Sequence, residues 1–228
     1  MHTLIKNIVM RKLFIPTLAA FLMLSCDKSY EKTAQTTAET TTDHTAGHSS
    51  EHMADSAAQT NKNEMLAEMD EMMREMHSAK FSGNIDADFA EMMADHHDGA
   101  VEMSEILLQK GTDAELKDFA AKVVAAQNKE IAILDRFDDA VGVSAENVAF
   151  QKDLQRSMAA MMDKNIKIHN DIDKDYAQQM IPHHQSAVDM AKVYLKYGKQ
   201  KELLKLCNDI ISTQTSEIDY LKDWLAKR

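Results

Sequence analysis

The sequence predicts an all-α protein whose centre is a four-helix bundle made from two copies of one helical hairpin. Residues 86–134 return as residues 173–221 at a fixed offset of 87, with no gap (His96 onto His183, Gly111 onto Gly198, Gln127 onto Gln214). Asp86 matches Asp173, Asp88 matches Asp175, Glu115-Leu116 matches Glu202-Leu203, and Glu130-Ile131 matches Glu217-Ile218. So many identities in one register mark an internal duplication. The composition points to helix as well: 228 residues hold only 6 Gly and 2 Pro, and Ala, Met, Glu, Asp, Lys and Gln dominate. Finally, Leu116, Phe119, Ala120, Val123, Val124, Ile131 and Leu134 recur at helical spacing.

The N-terminal region precedes this domain. Residues 1–25 read as a signal peptide: Arg11-Lys12 is a basic start, and Leu13 to Leu24 is an apolar run too short to span a membrane comfortably. Leu22-Met23-Leu24-Ser25-Cys26 resembles a bacterial lipobox, with Met23 where Leu is usual, so Cys26 is the expected lipidation site. Residues 26–62 read as a disordered tether rich in Thr, Ala, Ser, Glu and Gln, with no hydrophobic period. His44, His48 and His52 recur in it every four residues, which fits either a metal-binding segment or a solvated linker that contains histidines. The expected location is the cell envelope, on the periplasmic or outer surface of a bacterial membrane, with the lipid anchor as the membrane contact.

Residues 63–228 are the expected bundle domain, with repeats at about 63–140 and 145–228. Residues 64–79 predict a helix whose Met65, Met69, Met72, Met73 and Met76 fall on one face, with His77 beside them. Leu would pack a core with better definition than this Met stripe. Core packing and soft thioether capture of Cu(I) both account for it. Val148 to Ile168 echoes this helix: Met158, Met161 and Met162 match Met69, Met72 and Met73 at an offset of 89. Asp86 and Asp173 are the expected N-caps of the next helices, and Gly111 and Gly198 their stops. The partner helices are expected over about Asp113 to Asp139 and Lys199 to Ala226. Hinges of a few residues make each pair an antiparallel hairpin.

The duplicated set carries the chemistry. His97 lies 14 residues before Gly111 and Gln127 lies 16 after it, so both sit about 21–24 Å from the turn. Each hairpin therefore offers Met, His, Gln and Glu at one depth. The candidate metal ligands are Met93, His96, His97, Met103, Gln127 and Glu130, with Met180, His183, His184, Met190, Gln214 and Glu217 in the second copy, joined by Met69, Met72, Met73, Met76 and His77. Adjacent histidines point in different directions, so one deep His per pair is expected. Pro182, inside a helix just before His183-His184, is expected to kink it and re-aim those side chains. The competing reading is a satisfied hydrogen-bond network that fixes how the hairpins pair. Cys207, at the position of Ala120, reads as a packed free thiol.

At Met180, Pro182, His183, His184, Ala187 and Met190, followed by Gln214, Glu217 and Ile218, the chain resembles the bacterial domain-of-unknown-function family 305. The first copy departs from that motif with Asp95 in place of the Pro. The resemblance covers about residues 64–228 and implies an exported, ferritin-like four-helix bundle. Some members resemble periplasmic copper-binding and copper-resistance proteins. Copper is thus the suspected ion, with another transition metal as the alternative.

The formal net charge of −11 argues against nucleic-acid binding. The leading expectation is an envelope-anchored protein for copper binding, buffering or tolerance, without an enzymatic step. A structural or interaction bundle with a metal-free polar core is the alternative. A ferritin-like oxidase is weaker, because di-iron sites use two Glu-x-x-His motifs and this chain has none.

Overall fold

The computed structural model describes residues 63–163 and 165–228. Cys26, the segment before it and His44, His48 and His52 lie outside the described residues. Helix α1 spans Glu64–Ser78, α2 Ile85–Lys110, α3 Ala114–Leu134, α4 Asn147–Ser157, α5 Ile172–Tyr197 and α6 Lys201–Ala226. A 3-10 turn, Met158–Met162, continues α4. Among the described residues there is no strand, and no helix is long and apolar enough to cross a membrane.

The caps sit two residues earlier than Asp86 and Asp173. The side chain of Asn84 accepts from the amides of Asp86 and Ala87, and that of Asp171 from the amides of Asp173 and Lys174. This frees the next aspartates for longer-range ties. Asp88 is buried and accepts from the Ser82 amide (2.6 Å), the Ser82 hydroxyl (2.6 Å), the Gly83 amide (3.1 Å) and Gln151 Nε2 (3.2 Å). Its copy Asp175 accepts from the His169 amide (2.6 Å), the Asp171 amide (3.1 Å) and Asn63 Nδ2 (2.7 Å). Each carboxylate thus clamps the loop entering its own helix to the start of α4 or α1.

Gly111 and Gly198 end α2 and α5 for a steric reason. Their φ values of −69° and −73° are ordinary. A Cβ on Gly198 would lie 2.3 Å from the Tyr194 ring, and one on Gly111 would lie 2.6 Å from the Leu107 carbonyl oxygen and from Asp173 Oδ1. The hinges are glycine because other groups occupy that space.

α2 pairs with α3 and α5 with α6, and α2 and α5 lie side by side. Asp173 at the start of α5 accepts from Thr112 just past the end of α2, while Tyr194 near the end of α5 donates to Asp86 at the start of α2. The central pair is therefore antiparallel. α3 and α6 meet through stacked Phe119 and Tyr220 (4.7 Å between centroids), and Asp113 accepts from Trp224 Nε1 (3.3 Å) and Arg228 (2.8 Å). α1 packs on α2 and α5. A Cβ on Gly99 would lie 2.5 Å from Met72 Sδ, so glycine sets how closely α1 approaches α2.

Two boundaries differ from the sequence expectation. α3 ends at Leu134, and residues 135–139 form a turn. The second Met-bearing helix stops at Ser157 and tightens into the 3-10 turn, well short of Ile168. Its apolar stripe fades beyond Met162, which is exposed. Asn170 in the following connection has a φ of 54°, a left-handed conformation that a helix cannot contain. Cys207 is a buried free thiol whose pKa burial pushes up.

Candidate metal centre

The antiparallel α2/α5 pair brings the two histidine pairs together at mid-length. The His96 and His183 rings lie 3.8 Å apart between centroids, tilted by 44°. His183 Nε2–H donates to the backbone carbonyl of His96 (3.0 Å). His97 and His184 point outward from this centre, toward α3 and α6. His97 Nε2–H donates to Glu130 Oε2 at 2.7 Å. His184 Nε2 lies 3.0 Å from Glu217 Oε2, off the line of a hydrogen bond.

All four histidines are 0 % exposed. The expectation of one deep His per pair is therefore wrong. Neighbours on a helix point about 100° apart, and α2 is covered by α5 on one side and by α3 about 100° away. His96 faces the first and His97 the second, so both directions are interior. Pro182 lies inside α5 without ending it. α5 is one continuous helix, and the histidines that follow Pro182 face the same kinds of partner as those that follow Asp95.

The tautomers follow from the partners. A carboxylate and a carbonyl only accept, so Nε2 carries the hydrogen in His97 and His183. Burial, reinforced by the neighbouring imidazoles, holds His96 and His183 well below the ordinary histidine pKa, so both are neutral. Nδ1 of His183 is thus a bare lone pair. It is buried and has no hydrogen-bond partner; the same lack of a partner holds for Nδ1 of His97 and of His184. The His96 ring leans on the His183 carbonyl without hydrogen-bond geometry, and neither of its nitrogens is satisfied. Buried polar atoms are ordinarily paired, and each exception calls for an explanation.

Buried methionines stand on the same helices as this cluster. Met93 precedes His96 and His97 by three and four residues, the spacing of neighbours on one helix face, and Met180 stands likewise to His183 and His184. Met93, Met103, Met180 and Met190 are fully buried. Gln127 and Gln214 are buried too; neither side-chain polar atom of Gln127 has a partner, nor does Oε1 of Gln214. In α1, Met69, Met72 and Met76 face the core while Met73 is half-buried. His77 stands apart on the surface, its Nδ1–H donating to the Met73 carbonyl (2.6 Å). Among the described residues, no three His, Cys, Asp or Glu side chains converge as a metal-holding group. The buried donor types here are imidazole nitrogen, thioether sulfur and amide oxygen. Imidazole lone pairs beside thioethers suit a soft, low-coordinate ion such as Cu(I), and suit hard oxygen-seeking ions poorly.

Sequence reasoning placed these residues at one depth and missed the roles of Asp88 and Asp175. The signal was present: the pair is kept between the copies, and a carboxylate in a first turn can reach back to its own entry loop.

No curated protein matches the chain. Among solved structures it is similar to CopM in a Cu(I)-bound form, at 32% identity over 62% of this chain and 96% of that one, with a TM-score of 0.47. It is also similar to CopM in a silver-bound form, at 31% identity with the same coverage and a TM-score of 0.48. A DUF305 fragment from Deinococcus radiodurans aligns at 21% identity over 65% of this chain and all of that one, with a TM-score of 0.48. The family described as Domain of unknown function (DUF305) matches residues 25–138 and, overlapping them, 86–225. Together these matches span the tether, both hairpins and every histidine of the buried cluster, and the chain belongs to the DUF305 family.

Proposed function

We propose that this protein holds copper, as Cu(I), inside the bundle, and that it serves as an envelope-anchored copper buffer. The observation that carries the proposal is the set of buried imidazole nitrogens without partners, in helices that place buried methionine thioethers on the same faces. Leaving a buried polar atom unpaired costs about 1–3 kcal/mol. A metal ion taking up the lone pairs removes that cost, and the folded chain is stabilised by what it binds. His96, His97, His183 and His184 would supply nitrogen, and Met93, Met103, Met180 and Met190 sulfur. Glu130 and Glu217 would orient His97 and His184 from outside, as carboxylates behind ligating histidines do. The methionines of α1 would add sulfur from the face that packs on α2. The Cys26 lipid anchor belongs to this reading as the means of holding the domain at a membrane.

A metal-free polar core is the second reading. The His97–Glu130 contact favours it, because it links α2 to α3 within a hairpin. It leaves both nitrogens of His96 unexplained. The oxidase reading loses ground, since each hairpin sets a single glutamate against a single histidine.

Competition with a Cu(I) chelator tests the proposal. Replacing the five α1 methionines (65, 69, 72, 73 and 76) by Leu conserves volume, and replacing the four histidines by Ala removes the imidazoles. Both variants should bind Cu(I) more weakly than the wild type. Equal stoichiometry and affinity in all three proteins would leave the Met and His stripes as packing alone.

A further inference from the structure

The histidine cluster is sealed, so an ion reaches it only if a covering element moves. The two repeats differ in that cover. In the first, Met72 of the regular helix α1 rests against Gly99 of α2. In the second, the counterpart of Met72 is Met161, in the 3-10 turn that packs on α5. A 3-10 turn has poorer hydrogen bonds than an α-helix. Met161 is buried, while the next residue, Met162, is 58% exposed.

The helix that each cover packs on differs as well. Where α2 has Met92 and Gly99, α5 has Gln179 and Ser186. These lie seven residues apart, on one stripe of the helix, either side of His183. Both are buried, and neither Gln179 Oε1 nor Ser186 Oγ has a hydrogen-bond partner. These atoms are unsatisfied in the closed fold, and water admitted to this helix by an opening of the turn would satisfy them. The first repeat carries no such penalty on its matching stripe.

We infer that Met158–Met162 is the entrance to the copper site, with exposed Met162 taking up the ion and Met161 passing it beneath the opened turn toward His183. The inference rests on the copper reading above. Thioethers are suited to the task because they bind Cu(I) while remaining neutral at every pH. Transfer from one thioether to the next exchanges neutral donors and leaves the charge and oxidation state of the ion unchanged.

Stopped-flow uptake of Cu(I) from a coloured chelator complex, using the full chain, tests the entrance. Met161→Leu and Met162→Leu should each load about tenfold more slowly, the effect of losing one weak donor on the path. Val148→Leu, an exposed apolar change in α4 outside the turn, should load at the wild-type rate. Met162 is exposed, so its replacement leaves folding intact. A second arm needs no copper: amide hydrogen exchange should be faster at 158–162 than at 72–76, and Gln179→Met with Ser186→Gly should slow it. A wild type that binds no Cu(I) refutes the copper reading and the entrance with it. Normal binding with wild-type loading rates in Met161→Leu and Met162→Leu refutes the entrance alone. Slower exchange at 158–162 than at 72–76 also refutes it.

Discussion

Removing Glu130 and Glu217 in turn separates the energetics of the two His–carboxylate contacts. The repeats make the pair a controlled comparison: the same residue types stand at the same positions on equivalent hairpins. The geometries differ. His97 Nε2 donates to Glu130 at 2.7 Å, whereas His184 Nε2 sits 3.0 Å from Glu217 without hydrogen-bond alignment. Glu130→Ala leaves a buried N–H without its acceptor, a loss of about 1–3 kcal/mol. The Glu130 side chain is 17% exposed, so water can follow it in, which places the expected cost near the lower end, about 1–2 kcal/mol. Glu217→Ala removes a misaligned contact and should cost about half as much. Glu130→Gln keeps an acceptor oxygen and should cost less than about 1 kcal/mol. Urea unfolding of the metal-free proteins, with unchanged m-values, measures all three. Equal losses for Glu130→Ala and Glu217→Ala, or a Glu130→Gln loss as large as that of Glu130→Ala, would refute the reasoning. With Cu(I) present, each Ala variant should also lose about 10–100-fold in affinity, as positioning carboxylates do.

Three further outcomes are expected, two from the structure and the third from the sequence. Gly99→Ala forces a Cβ to within 2.5 Å of Met72 Sδ and 3.1 Å of its Cβ; overpacking of about 1–3 kcal/mol outweighs the gain of up to about 1 kcal/mol from a better helix former, so the melting temperature should fall. Glu102 has its pKa raised from 4.5 to about 7, by partial burial first and then by its hydrogen bond and repulsion with Glu68. The folded state therefore holds an extra proton between those values, so stability falls as pH rises through that window; because Glu102 is exposed to solvent, screening limits the effect to about 0.5–1 kcal/mol, and Glu102→Gln should remove it from a pH series of unfolding curves. Cys26→Ser should release the protein from membranes into the soluble fraction, and unchanged membrane partition would remove the anchor from the account.

The duplication made the helical hairpins legible, because an ungapped offset of 87 between His96 and His183 fixes which residues share a depth. The glycine hinges were legible for position but not for cause, since the crowding by Tyr194 and by Asp173 arises only once the helices pack. The caps slipped by two residues because Asn84 and Asp86, and Asp171 and Asp173, are all good capping types, and only the long-range ties of Asp86 and Asp173 decide between them. The depth of both histidines in each pair was missed for a related reason. Helical spacing says where a side chain points, but not how many neighbours surround the helix. The 3-10 turn left no local mark either: Met158-Ala159-Ala160-Met161-Met162 is good helix sequence, and it is the connection that follows, with Asn170 left-handed, that ends it.

X-ray absorption at the copper edge of the Cu(I)-loaded protein tests the central claim most directly. The account predicts a shell of both sulfur and imidazole nitrogen in the wild type, with the imidazole component lost when His96, His97, His183 and His184 are replaced by Ala. A shell without sulfur, or one unchanged by removal of the four histidines, would contradict it.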